Sequence, residues 1–191
     1  VWVKVGSRNE KPQYKGITHF LEHLVFKGTK SKSAFEIAKS LERFGGELNA
    51  LTSKEYTIFH AYVLNHHIGQ AMEVLADLVS HMDCTVKDFL NEKLVVLQEI
   101  HMAEDNLEDI IYDYFLDEYL PKQQIASPIL GSTKSITDLK LSDVKKFYQD
   151  VYTGSNIIVS VAGQVQHEDL LILTKKYLYK KKKLTATRKK W

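Results

Sequence analysis

The sequence predicts an α+β domain, an antiparallel or mixed β-sheet with helices packed mainly on one face. Three observations predict it. Stretches of period-two hydrophobicity lie at residues 1–6, 47–64 and 156–165. Stretches of helical period cluster between them, in the middle of the chain. The two kinds do not alternate as successive βαβ units would require. The chain has 191 residues, enough for one good-sized domain with a core, or at most two small ones.

In order, "VWVKVG" alternates Val1, Val3 and Val5 with Trp2 and Lys4, a strand closed by Gly6. Residues 16–27 form an apolar segment with Thr18 as candidate N-cap and Gly28 placed to end it. In residues 31–46, Ser33 and Glu36 stand at capping-box spacing, and Gly45-Gly46 stops the helix. Residues 47–64 read as a hairpin with its turn near Ser53-Lys54. Residues 67–82 place Ile68, Ala71, Met72, Leu75, Leu78 and Val79 on one helical stripe. Thr85 and Asp88 open a longer helix over 85–106, and 107–120 form another. Residues 127–140 read as a loop, and 141–152 as a short helix capped at Ser142/Asp143. A strand at 156–165 and a helix at 167–178 complete the chain.

Hydrophobic residues make up 44% and charged residues 26%, an ordinary balance for a globular chain. The apolar runs are only a few residues long, so no membrane span is expected. Net charge is +2, but the last twelve residues, "KKKKLTATRKKW", carry the excess, and the remainder is acidic. That tail lacks interleaved aromatics and a nucleic-acid-binding fold, so it reads as a solvated linker and no nucleic-acid partner is expected. Cys84 is the single cysteine, which rules out an intramolecular disulfide, and it reads as a small half-buried residue. Val1 starts in mid-strand, so the natural N-terminus is read as lying upstream. The compartment stays open on that ground: cytoplasm is favoured, with periplasm and organelle as alternatives.

The chemistry concentrates in "HFLEHLVFKGT", residues 19–29. On a helix His19 and His23 are i and i+4, about 40° apart around the axis, so both imidazoles project the same way. Glu22 lies beside the pair. Zinc accepts imidazole nitrogen, and a catalytic zinc takes three protein ligands and a water. Two histidines therefore leave one ligand to be found, with Glu22 placed as the base that works on the water. The bland alternative is a pair of surface histidines. Against it, H-x-x-E-H inverts the H-E-x-x-H zinc-protease motif. Phe20, Leu21, Leu24, Val25 and Phe26 also make the segment a buried one, where polar groups without partners are costly. A third ligand could come from Glu92 or Glu99, seven residues apart and on one helix face. Periodicity alone leaves both acids equally open to a solvated reading.

His19-Phe-Leu-Glu22-His23, then "GGELNALTSKEYT", then "EKLVVLQEI" resemble the pitrilysin/insulinase family of zinc metallopeptidases over essentially the whole chain. Mitochondrial processing peptidases, insulin-degrading enzyme and bacterial processing-protease-like proteins belong to that family. The resemblance implies a metallopeptidase domain with one Zn2+, held by His19, His23 and Glu99. It implies Glu22 as general base and Glu92 as a supporting acid of the catalytic site. It matches Asn49 and Ala50 to a strand whose edge pairs with an extended peptide. A hydrogen-bonded turn role for Asn49 is the alternative. Phe20 and Phe59 are better read as core than as pocket lining.

Members of the family pair two similar domains, of which only the first carries the zinc motif. The resemblance therefore implies a catalytic domain over residues 1–179 and an interdomain linker beginning in 180–191. It implies a peptide substrate and a second homologous domain, in cis or from a partner chain. "IASPILGS" departs from the family's usual "HPLG", so no function is carried onto it. The family also holds members that no longer cleave and serve as structural partners. Those usually lose the ligands or the base, whereas all four positions stand here.

Overall fold

The computed structural model describes residues 1–178. The basic tail lies outside them. Four strands form one antiparallel sheet: β1 (Trp2–Val3), β2 (Glu47–Thr52), β3 (Thr57–Tyr62) and β4 (Ile157–Ile158), in the order β2-β3-β1-β4. Val1, Val3 and Phe59 are buried on its inner face, while Trp2, Leu51 and Ile158 are exposed on the other. Helices cover the inner face, as a half-solvated antiparallel sheet requires.

Eight α-helices accompany the sheet among the described residues: α1 (Ile17–Val25), α2 (Ala34–Glu42), α3 (Ile68–His81), α4 (Val86–Asp105), α5 (Leu107–Tyr119), α6 (Thr133–Asp138), α7 (Leu141–Val151) and α8 (His167–Leu178). The centre is α1, which packs on α4, α7 and β2. Its Ile17, Phe20, Leu21, Leu24 and Val25 are fully buried. Phe20 meets Phe89 of α4 edge to face, ring centres 5.3 Å apart. Burying a ring of this size contributes about 1.5–3 kcal/mol.

Both expected capping boxes form, Ser33/Glu36 on α2 and Thr85/Asp88 on α4. The β2–β3 turn closes at Ser53, whose N–H bonds Tyr56 O. Four expectations are corrected. Thr18 does not cap α1; the N-cap is Gly16, in the left-handed region at φ 87°. The expected loop 127–140 contains α6, because Ser132 and Ser135 cap each other and Ile136 buries its side chain. Helix α7 begins after Lys140 with no side-chain cap, so Ser142 and Asp143 lie inside it. The long strand expected over 156–165 pairs only at Ile157 and Ile158, since β1 offers just two residues to it.

The loop after α1 is clamped. Thr29 Oγ1 and Ser31 Oγ donate to Asp77 on α3, and Thr29 and Met82 form a β-bridge. The chemistry-bearing helix is therefore fixed at its far end as well as along its buried face.

Candidate metal centre

Helix α1 presents His19, Glu22 and His23 on the edge of its buried stripe, and α4 faces them. On α4 the buried residues are Phe89, Glu92, Val96 and Ile100, with Glu92 inside the apolar row. The solvated alternative is excluded for Glu92, which is 4% exposed; Glu99 lies on the same face, half-buried. The neighbouring Leu94 and Val95 turn outward, so α4 is buried on one side only. Lys93 Nζ holds that side in place by donating to Thr137 O and Leu139 O at the end of α6.

Three ligand atoms converge. Glu99 Oε2 lies 3.8 Å from His19 Nε2 and 3.4 Å from His23 Nε2. One atom from each of His19, His23 and Glu99 falls within 4.8 Å of the others. Zinc–ligand bonds of ~2.0–2.1 Å at tetrahedral angles set ligand atoms ~3.3 Å apart, close to these spacings. Burial, with His23 adding to it, pushes the His19 pKa down to about 4. His19 is therefore held as the neutral imidazole that a metal requires. A neutral ring and a carboxylate make a poor ion pair, whereas both are ordinary ligands of a divalent cation. The donor set and its spacing fit zinc.

Around these atoms lies a supporting shell. His23 Nδ1 is 3.5 Å from Glu92 Oε2, and Lys27 Nζ is 2.6 Å from Glu92 Oε1. A carboxylate behind a histidine fixes the ring's tautomer and orientation. Glu22 accepts a hydrogen bond from Thr52 Oγ1 at the end of β2. Burial raises the Glu22 pKa, and the Thr52 bond and His23 oppose it.

Strand β2 is one of the two edges of the sheet among the described residues, β4 being the other. Its Ala50 stands opposite Phe59, whose N–H is spent on Val1 O. Ala50 therefore turns its N–H and C=O to the open side, by the alternation of antiparallel pairs. That N–H is taken by Asn49 Oδ1 at 2.8 Å. A cleft of about 560 Å³ beside the far ends of β3 and α3 contains none of these groups.

Thr52, Lys27 and Glu10 enter the site region without having been singled out in the sequence. Lys27 stands one helical turn beyond His23, and Thr52 closes the "NALT" strand. Both could have been found from those positions. Glu10 sits in a loop with no periodic signal.

The sequence profile described as Insulinase (Peptidase family M16) matches residues 1–133. The chain belongs to the insulinase family of peptidases. A second insulinase-family profile, described as the Peptidase M16 inactive domain, matches residues 138–190. The uncharacterized zinc protease YmxG of Bacillus subtilis is 42% identical over 165 residues, covering 86% of this chain and 40% of the relative. An uncharacterized zinc protease of Mycobacterium leprae is 38% identical over 177 residues, covering 93% and 40%. The crystal structure of a protease from Helicobacter pylori superposes with a TM-score of 0.91 at 33% identity, covering 96% of this chain and 45% of that one. Pitrilysin shares the fold, with a TM-score of 0.81 at 22% identity over 97% of this chain and 21% of its own. The chain spans about two-fifths of the length of the curated relatives it matches.

Proposed function

We propose that this chain forms the catalytic domain of a zinc-dependent endopeptidase acting on extended peptides or unfolded segments. The observation that carries it is the convergence of His19 Nε2, His23 Nε2 and Glu99 Oε2, with Glu22 one turn away on the same helix. His19, His23 and Glu99 would hold the zinc, and Glu92 would keep the His23 ring in place. When bound, zinc supplies a Lewis acid that polarises the scissile carbonyl and lowers the pKa of a coordinated water toward ~7.

Glu22 takes the proton from the attacking water on its carboxylate and delivers it to the leaving amine. Burial raises its pKa, which makes it a stronger base than a solvated carboxylate. Thr52 holds one oxygen of Glu22 by a hydrogen bond, which fixes the carboxylate at the end of β2. The open edge of β2 provides backbone groups at Ala50 for an extended chain. Asn49 must release the Ala50 N–H for a peptide to pair there. Because β2 ends on Thr52, a peptide paired along it runs toward Glu22.

The second half of the enzyme is supplied by a further homologous domain, in the same chain or a partner. Two facts support this: the relatives are more than twice as long, and α5 leaves Leu107, Ile111, Tyr112, Tyr114, Phe115 and Tyr119 exposed. The test is Glu22→Gln in the full-length protein, with metal analysis and peptide cleavage. Stoichiometric zinc with cleavage abolished is expected. Unchanged cleavage would sink the role of Glu22, and absence of zinc from the unmodified protein would sink the centre.

A further inference from the structure

Glu10 closes the stretch "GSRNE" between β1 and α1, and it is 3% exposed. Its Oε2 accepts from Gly16 N at 2.7 Å and its Oε1 from Thr18 N at 2.8 Å. These are the amides of the N-cap residue and of the second residue of α1, a helix with no side-chain cap of its own. The first N–H groups of a helix need acceptors, and the helix dipole favours a negative group there. A local cap is sterically blocked. A Cβ at Gly16 would stand 2.4 Å from Leu130 O, and the residue has φ 87°, which disfavours a side chain. The acceptor must therefore come from elsewhere, and a buried carboxylate supplies it at a cost in desolvation.

The loop that carries Glu10 is stitched to the β2–β3 turn. Ser7 N bonds Ser53 O at 3.3 Å, Arg8 N bonds Lys54 O at 2.8 Å, and Arg8 pairs with Glu55. Gly6 lies so close to Lys54 that a Cβ would stand 2.4 Å from its carbonyl carbon. The residue before that turn is Thr52, the hydrogen-bond donor to Glu22. One short loop thus holds both the first turn of α1, next to His19, and the end of the edge strand that restrains Glu22.

We propose that Glu10 is a positioning residue of the metal centre: by capping α1 from a loop anchored on the β2–β3 turn, it sets where His19 and Glu22 stand relative to Glu99 and Thr52. This rests on the reading of the centre given above. A glutamine at this position keeps the size but turns an amide NH2 toward one backbone N–H, whichever way it is flipped.

The experiment uses metal-free full-length protein titrated with Co2+, read by the visible absorption of the bound ion, with thermal unfolding as the check on folding. In Glu10→Gln a cooperative melt is expected together with Co2+ affinity lowered by about tenfold or more, the range seen for groups that orient metal ligands. The absorption band should change shape. Glu10→Asp, which keeps the charge but is one methylene shorter, should fall between wild type and Gln in both respects. Wild-type affinity and band in a folded Glu10→Gln protein would overturn the proposal. Should Glu10→Gln not fold, Glu10→Asp decides alone: weakened Co2+ binding in a folded protein supports the proposal, and wild-type binding overturns it. Failure of both variants to fold would make Glu10 a prop of the fold and overturn it too. An unmodified protein whose cobalt band is missing, or survives His23→Ala unchanged, would instead overturn the centre itself.

Discussion

Two carboxylates, Glu10 and Glu92, are nearly inaccessible to solvent, and each is held by a different kind of partner. Glu92 meets Lys27 and His23; its spacing to Glu99 put both acids on one helix face but left a solvated reading open, and only the family resemblance pointed it to the site. Glu10 meets backbone amides eight residues or fewer away, in a loop, where side-chain spacing carries no signal. Burial pushes the Glu10 carboxyl from 4.5 up to about 7, with the Thr18 and Gly16 amides pulling the other way. A carboxyl raised on folding adds stability that is fully present below about pH 4.5 and is lost as pH rises through about 7. The melting temperature of the unmodified protein should therefore exceed that of Glu10→Gln most at pH 5, with the gap narrowing by pH 8. Thermal melts across that range measure it, and a gap that widens with pH would contradict the assignment.

At the scale of elements, the parts legible in the sequence are those fixed by local chemistry. The boxes at Ser33/Glu36 and Thr85/Asp88 depend on residues three apart, and both formed where expected. The start of α1 was not legible, because its cap comes from another loop and its N-cap glycine answers to Leu130. Helix α6 hid in a run of small polar residues that reads as a loop until Ile136 finds the core. The outward turn of Leu94 and Val95 was likewise hidden, since an apolar run does not say which of its members faces a neighbour. The α1 entry yields a prediction. Gly16→Ala forces a side chain into a left-handed backbone and against Leu130 O. It should lower stability by about 2 kcal/mol or more, and denaturant unfolding of the full-length protein would show it. A wild-type midpoint would mean that α1 can shift freely.

At the scale of the whole molecule, the centre is assembled from α1 and α4 within this chain, whereas α5 turns a row of aromatic and aliphatic side chains to solvent. On the function proposed above, residues 1–191 expressed alone should carry zinc yet cleave far more slowly than the full-length protein, and recover on addition of the proposed second domain. Metal analysis beside a peptide-cleavage assay checks this; full turnover by the isolated chain would refute it. The open side of β2 has a further consequence. A bare row of amides and carbonyls is a template for any backbone, including that of a second copy of the same protein, and exposed strand edges are where soluble proteins begin to aggregate. By turning its own side chain onto the Ala50 N–H, Asn49 shutters one rung of that ladder. On the function proposed above, that bond would favour long extended peptides over short ones.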